Sequence, residues 1–443
     1  LSILFGLFSL AAVNLAEDAS RVEFCANVTF RETPFADMRC ALELPEDALG
    51  DRKYFKFVHD SDGRLIEVSF RQNDELRAHA GRFVRAPQTR ISYLPGLEVR
   101  QYFDEHGNRT LVSGEVYETR FRLNDDGKRI EAWFMGFDGE PLEDHFGIAR
   151  YVWTVDRFDV VTEWRYNLAG DVVRNRPGFG YMVTRFHYDL DGLLTRMENL
   201  GANGDALTPD ASGTVATEIG YNEHSQFQLW RNLGMDGQSR RGMSALAEIR
   251  YDPGLYYSEA QADFIDADGT PQTTRWGAHR VSFDFDRFGN VVLRRFFDVN
   301  GDFTDVEFGV AETRYEWSDD GSVQLEEAFF NVAGEPVNRI NNGVHAYQSQ
   351  TDSAGRVTEI RSVDAAGRLV IDDNTGFAVE RTRFDTAGRR TATFYVDGDG
   401  DPVDHAVWGY AQVIYHYDNT ALSDAIFRNA DGDRVDARWN PDH

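Results

Sequence analysis

From residue 147 onward the chain repeats itself every 32 to 34 residues, and that period narrows what it can fold into more than any other feature. Glycines open successive units at Gly147, Gly180, Gly213, Gly277, Gly309, Gly343, Gly376 and Gly409, with Ala245 in the slot between Gly213 and Gly277. A second glycine falls late in each unit, at Gly170, Gly204, Gly237, Gly269, Gly301, Gly334, Gly367, Gly400 and Gly432. Residues 116–146 form one earlier unit and 51–115 read as degenerate ones, giving ten clear units.

Inside a unit the apolar period is two, the signature of a strand with one buried face. Val281, Phe283 and Phe285 alternate with polar residues, as do Ala311, Tyr315 and Trp317. A turn of the form Asp286-Arg287-Phe288-Gly289 then reverses the chain, since glycine takes the positive φ such turns require. A second strand follows, such as 291–297, and the late glycine marks the next reversal. Each unit is therefore read as a β-hairpin with a short third strand or connector.

One hairpin cannot bury its apolar face, but ten stacked side by side cover one another. The expected fold is all-β: tandem hairpins of ~33 residues in an elongated or spiralling antiparallel sheet or solenoid, preceded by a short N-terminal apolar helix. A propeller is disfavoured because its blades need roughly 40 or more residues each. Segments 187–205 (HYDLDGLLTRMENLGANGD), 283–302 (FDFDRFGNVVLRRFFDVNGD) and 383–401 (RFDTAGRRTATFYVDGDGD) resemble bacterial YD-type β-hairpin repeats of the kind in Rhs and teneurin shells. The resemblance covers about 300 residues and implies a hairpin array; it assigns a function to no residue.

Residues 1–16 (LSILFGLFSLAAVNLA) are an uncharged apolar run followed by Glu17 and Asp18, expected to be a membrane anchor or a signal segment. Cleavage after Ala16 would place Asn14 where a small residue belongs, which favours retention as an anchor. Residues 17–50 are then an exported linker whose two cysteines, Cys25 and Cys40, are expected to form a disulfide. The remaining divisions are a degenerate cap over 51–115 and the repeat array over 116–443.

The formal charge of −28 excludes nucleic acid as the expected partner, because a phosphate-reading surface needs clustered Lys and Arg. Acid-rich late turns at 298–302, 397–401 and 430–433 offer weak calcium ligands, the best being Asp397, Asp399, Asp401 and Asp404. Equivalent turns at 333–335 and 366–368 carry no such set, so a structural turn is the favoured role and no cofactor is expected. The eleven histidines form no HExxH motif, and His187 and His416 share one repeat slot, as packing residues do. Trp153, Trp230, Trp276, Trp317 and Trp408 are expected in the core rather than on an exposed sugar-stacking track.

The expectation for function is a non-catalytic scaffold or binding subunit, exported to the periplasmic or extracellular face and anchored through residues 1–16. Its partners would be other protein subunits of a membrane or envelope complex. The alternative is a β-repeat protein that binds or hydrolyses glycans, where a carboxylate pair would do the chemistry.

Overall fold

The computed structural model describes residues 21–78, 84–176, 179–254, 260–418 and 421–435. The expected N-terminal apolar helix, with its anchor or signal role, lies outside the described residues. Among those, the one helical piece is a short 3-10 turn, Glu46–Ala48, and no helix is long and apolar enough to cross a membrane.

Among the described residues the alternating pattern forms 29 strands, all joined in one antiparallel sheet. Strand follows strand in chain order: Arg280–Phe285 pairs with Val291–Phe297, which pairs with Glu312–Trp317, which pairs with Gln324–Phe330. The third strand anticipated in each unit is a single bridge in most of them, such as Phe297 to Phe303 and Val363 to Leu369. At the hairpin turns the recurring aspartate is a backbone acceptor. Asp286 Oδ1 takes N–H bonds from Phe288 and Asn290, both at 2.9 Å, and Asp189 does the same for Asp191 and Leu193.

The stretch 51–115 holds regular hairpins, Lys53–His59 with Leu65–Gln72 and Gln88–Leu94 with Leu97–Phe103. Residues 17–50 need correction as a linker. Arg21–Val28 is a strand of the sheet, paired on one side with Lys53–His59 and on the other with Cys40–Glu43. Its buried side chains are Cys25 and Val28, with Glu23, Phe24, Ala26 and Asn27 half-buried.

The ribbon coils on itself. Lys53 N donates to Phe288 O at 2.9 Å and Lys53 Nζ to Asn290 Oδ1 at 2.5 Å, joining residues 237 apart. Gln72 Nε2 donates to Asp320 O across 248 residues, and the His106 ring meets Phe384 at 6.3 Å. Hairpin tips of the second turn thus sit on the connector edge of the first. Among the described residues, no tip contact of this kind reaches the connectors that carry Leu168, Met235, Val299 and Val332.

The two faces of the ribbon differ in chemistry. The inner face carries Phe121, Phe134, Tyr151, Trp153, Phe186 and Met197, each at most 2% exposed, in one cluster that reaches Phe227. The outer face carries cross-strand ion pairs at mid-strand positions. One run links Arg185, Glu198, Arg196, Glu218, Arg231, Glu248 and Arg250. Such pairs add little stability individually. They do show that the outer surface is built for water or a polar partner, since charge at mid-strand is costly against lipid.

Near the C-terminal end His405, 8% exposed, is ringed by Phe377, Tyr395 and Trp408, and its Nδ1 accepts the Val407 N–H at 3.1 Å. Burial pushes its pKa down to about 4, with Asp372 opposing. A folded value below the unfolded ~6.5 means its stabilising contribution is full above pH 6.5 and is lost as pH falls toward 4. Urea unfolding from pH 7 to 4.5 is expected to show H405N losing less stability than wild type, by about 2–3 kcal/mol at the acid end. Parallel curves for the two proteins would contradict this.

Candidate functional site

The sequence between the two cysteines builds the interior of the first coil turn. Cys25 and Cys40 form a disulfide with Cα atoms 5.5 Å apart, and Thr29 N donates to Arg39 O at 2.9 Å. The base of the segment 29–39 is closed by these links, and the segment runs into the lumen. Phe30 stacks on Phe227 at 4.8 Å and meets Trp230 edge-on at 6.0 Å. Phe35 lies 5.5 Å from Trp153 and 6.0 Å from Tyr188. Glu32 accepts bonds from Asn175 Nδ2 at 2.5 Å and Arg176 Nε at 2.9 Å.

Charged groups on the surrounding strands hold this insert. Arg129 donates to the Phe35 carbonyl at 2.6 Å, to Glu98 Oε2 from both Nε and Nη2, and to Asp37. Arg100 donates from Nε to the other Glu98 oxygen at 2.7 Å. The Arg100 and Arg129 guanidinium groups each lie 4.7 Å from the Phe121 ring centre, a favourable cation–π distance. Burial would raise the Asp37 carboxyl, but Arg129 and Arg100 outweigh it and hold it below the usual range. Deeper still, Arg165 and Glu163 are wholly buried and paired at 2.8 Å. Glu163 also accepts from Trp153 Nε1 at 2.7 Å, yet burial leaves its carboxyl raised.

Beside the insert is a cavity of about 640 Å³, within the range of small-molecule sites. Strand residues from Thr89 to Tyr251 line it together with residues of 30–38, so the inner face curls around it. Met243 and Ser244, both exposed, lie at its edge. Gly180 also lines it, where a methyl would fall 2.7 Å from Asp210 Cβ and 2.8 Å from Met243 Sδ. Four arginines face it, Arg31, Arg85, Arg100 and Arg176, against Glu32 and Asp210. Burial, then Arg100 and Arg85 nearby, bring Arg31 down to about 9, so it remains a cation at neutral pH. The arrangement can hold and orient an acceptor; most of its charged groups are donors.

The other residues singled out in the sequence lie elsewhere. Asp397 Oδ1 accepts N–H bonds from Asp399, Gly400 and Asp401 within its turn, while Asp404 Oδ1 accepts from Ala430 N of the next unit at 2.7 Å. Asp305 and Asn338 make the same inter-unit bond to Val332 and Ala365, so this slot pins neighbouring hairpins. Among the described residues no cluster of three or more His, Cys, Asp or Glu could hold a metal. Trp153 is 2% exposed, Trp276 packs between Phe264 and Phe296, and Trp317 donates to the Val291 carbonyl. Sequence reasoning missed the lumenal insert and its arginines. The large apolar side chains Phe30, Phe35 and Met38, set between the two cysteines, were the available signal.

Fold and site together define a tandem β-hairpin repeat protein that coils around its own disulfide-closed N-terminal segment. No protein-family model matches the sequence, and no curated protein matches it. Among solved structures it is similar to TcdB2-TccC3-TEV, with 12% identity over 84% of this chain and 23% of that one, at a TM-score of 0.31. A TcdB2-TccC3 structure without its hypervariable C-terminal region gives 12% identity, 95% and 25% coverage, and a TM-score of 0.19. A porin-like protein from Bacteroides uniformis gives 10% identity, 70% and 95% coverage, and the same TM-score. The chain spans about a quarter of the length of the first two. At these TM-scores the fold rests on the strand pairing itself.

Proposed function

We propose that this chain is a non-catalytic scaffold subunit, exported and held at the bacterial envelope, that docks partner proteins along the free connector edge of its coil. The observation that carries the reading is a recurrence. Leu168, Met235, Val299 and Val332 occupy the same position of four late turns, with Ala202 and Ala267 in the turns between them, and are 58%, 58%, 44% and 49% exposed. Ile340, on the connector that follows Val332, is 76% exposed. Antiparallel connection order puts every late turn on one edge of the ribbon, so these side chains form a broken apolar row with units roughly 10 Å apart. A repeated exposed apolar row on an otherwise acidic molecule fits a protein partner and not a polyanion. The disulfide supports export, because such bonds persist in oxidising compartments. The membrane anchor in residues 1–16 remains part of this proposal.

The test is cross-linking mass spectrometry on the native protein purified in mild detergent, beside a variant carrying L168D, M235D, V299D and V332D. Cross-links to a stoichiometric partner at the late turns, lost in the variant while its circular dichroism is unchanged, are expected. A partner retained by the variant, or a monomer with nothing attached, would remove the docking reading. Recovery of residues 1–16 in the membrane fraction would support the anchor, and a chain starting near residue 17 would remove it.

A further inference from the structure

Docking along the outer edge makes no use of the lumenal cavity, whose charge runs against that of the whole chain. The molecule carries a formal −28, yet the cavity lining has four arginines and two carboxylates. Both carboxylates already have partners in the fold: Glu32 is bonded by Asn175 and Arg176, and Asp210 Oδ1 accepts from the Ser212 hydroxyl and the Ser212 and Thr214 N–H groups. Arg100 is the sharpest feature. Its side chain is 3% exposed, its Nη2 makes no hydrogen bond, and the nearest carboxylate to that nitrogen is Asp37 at 3.7 Å. Glu98 already neutralises this guanidinium from its Nε side, so what stays costly is the one buried N–H donor on Nη2 that no acceptor meets.

The apolar part of the lining is equally specific. Arg176 lies 5.1 Å from the ring centre of Phe179, and the half-buried rings of Phe146 and Trp230 line the same space, so cationic donors and aromatic rings adjoin one another. A ligand filling this space would set a negative head on the guanidinium groups and a planar apolar body on the rings. The cavity volume admits a drug-sized molecule and no polymer.

We infer that the cavity is a binding site for a small organic anion with a planar apolar body, its head held by Arg31, Arg85 and Arg100 and its body by the half-buried rings of Phe146 and Trp230. The carboxylate, sulfonate or phosphate nature of the head is shared chemistry here, since a guanidinium fork accepts each of them.

The probe is 8-anilinonaphthalene-1-sulfonate, paired with N-phenyl-1-naphthylamine, which has the same ring system without the charge. Fluorescence titration of the full chain is expected to give one saturable sulfonate site per chain, with affinity falling about tenfold or more in R31M and in R85M. The uncharged amine is expected to bind more weakly than the sulfonate and to respond to neither substitution. Arg85 is exposed toward solvent, so R85M should leave the urea midpoint unchanged and keep the test valid if R31M disturbs folding. Equal sulfonate affinity in R85M and wild type, equal affinity for the two probes, or no saturable site would each overturn the inference. The proposed partner docking is untouched by any of these outcomes, because its variants lie on the outer edge.

Discussion

Replacing Cys25 and Cys40 together by serine is expected to destabilise the chain by about 3 kcal/mol and to open the segment 29–39 to trypsin. The bond spans a sequence separation of 15, and closing a loop of that size removes roughly this much conformational freedom from the unfolded chain. The loss should stay near that value because the insert has its own anchors. Phe30 and Phe35 lie against lumenal rings, and Arg129 grips the Phe35 carbonyl and Asp37. What the disulfide adds is closure at the base, where the backbone link is Thr29 N to Arg39 O. Without it the insert should open locally before the sheet unfolds. Urea unfolding measures the first effect. The second is read by mass spectrometry after brief trypsin treatment in native buffer, with cleavage expected after Arg31 and Arg39. An unchanged midpoint with both sites still protected would show that the insert is held by its contacts alone.

That insert marks where the sequence stopped being readable. The hairpins were legible because a period of about 33 residues with internal alternation leaves few ways to bury an apolar face. The turn aspartates were legible for a local reason, since an acceptor two and four residues before the N–H groups it binds is fixed by spacing alone. Even the exception at Ala245 keeps to the pattern. It adopts φ +62°, the left-handed conformation its neighbours reach with glycine, so the connection rather than the residue sets the backbone there. Coiling was not legible, because it depends on contacts such as Lys53 with Asn290, 237 residues apart, which carry no periodic signature. The cavity followed from the coil. Arg31, Arg85, Arg100 and Arg176 share no motif and meet only because the ribbon closes around residues 29–39. The acidic late turns follow the same local rule, with Asp397 Oδ1 accepting a backbone N–H of its own turn and Asp404 Oδ1 one of the next hairpin.

The largest single-site effect is expected at Arg165. Its side chain and that of Glu163 are 0% exposed and 2.8 Å apart, and Arg165 Nη2 also donates to the Tyr181 and Met182 carbonyls and the Thr184 hydroxyl. R165M removes the cation and leaves a carboxylate in the core, which costs about 3–5 kcal/mol. E163Q strands the cation in its turn, and its cost is expected at the lower end of that range, about 3 kcal/mol. The amide oxygen there still accepts from the Trp153 indole, and the guanidinium keeps three acceptors. The double variant is therefore expected to be more stable than R165M alone, because it removes the stranded charge. The sign with pH separates this account from simple loss of packing. Burial already raises the Glu163 carboxyl above its unfolded value, and loss of Arg165 raises it further. A raised carboxyl penalises the folded state at neutral pH, and the penalty is relieved as falling pH protonates it. Urea unfolding should thus find R165M closer to wild type at pH 5 than at pH 7.5. A constant difference across that range, or a double variant no better than R165M, would mean that the cost comes from a cavity and not from an unpaired charge.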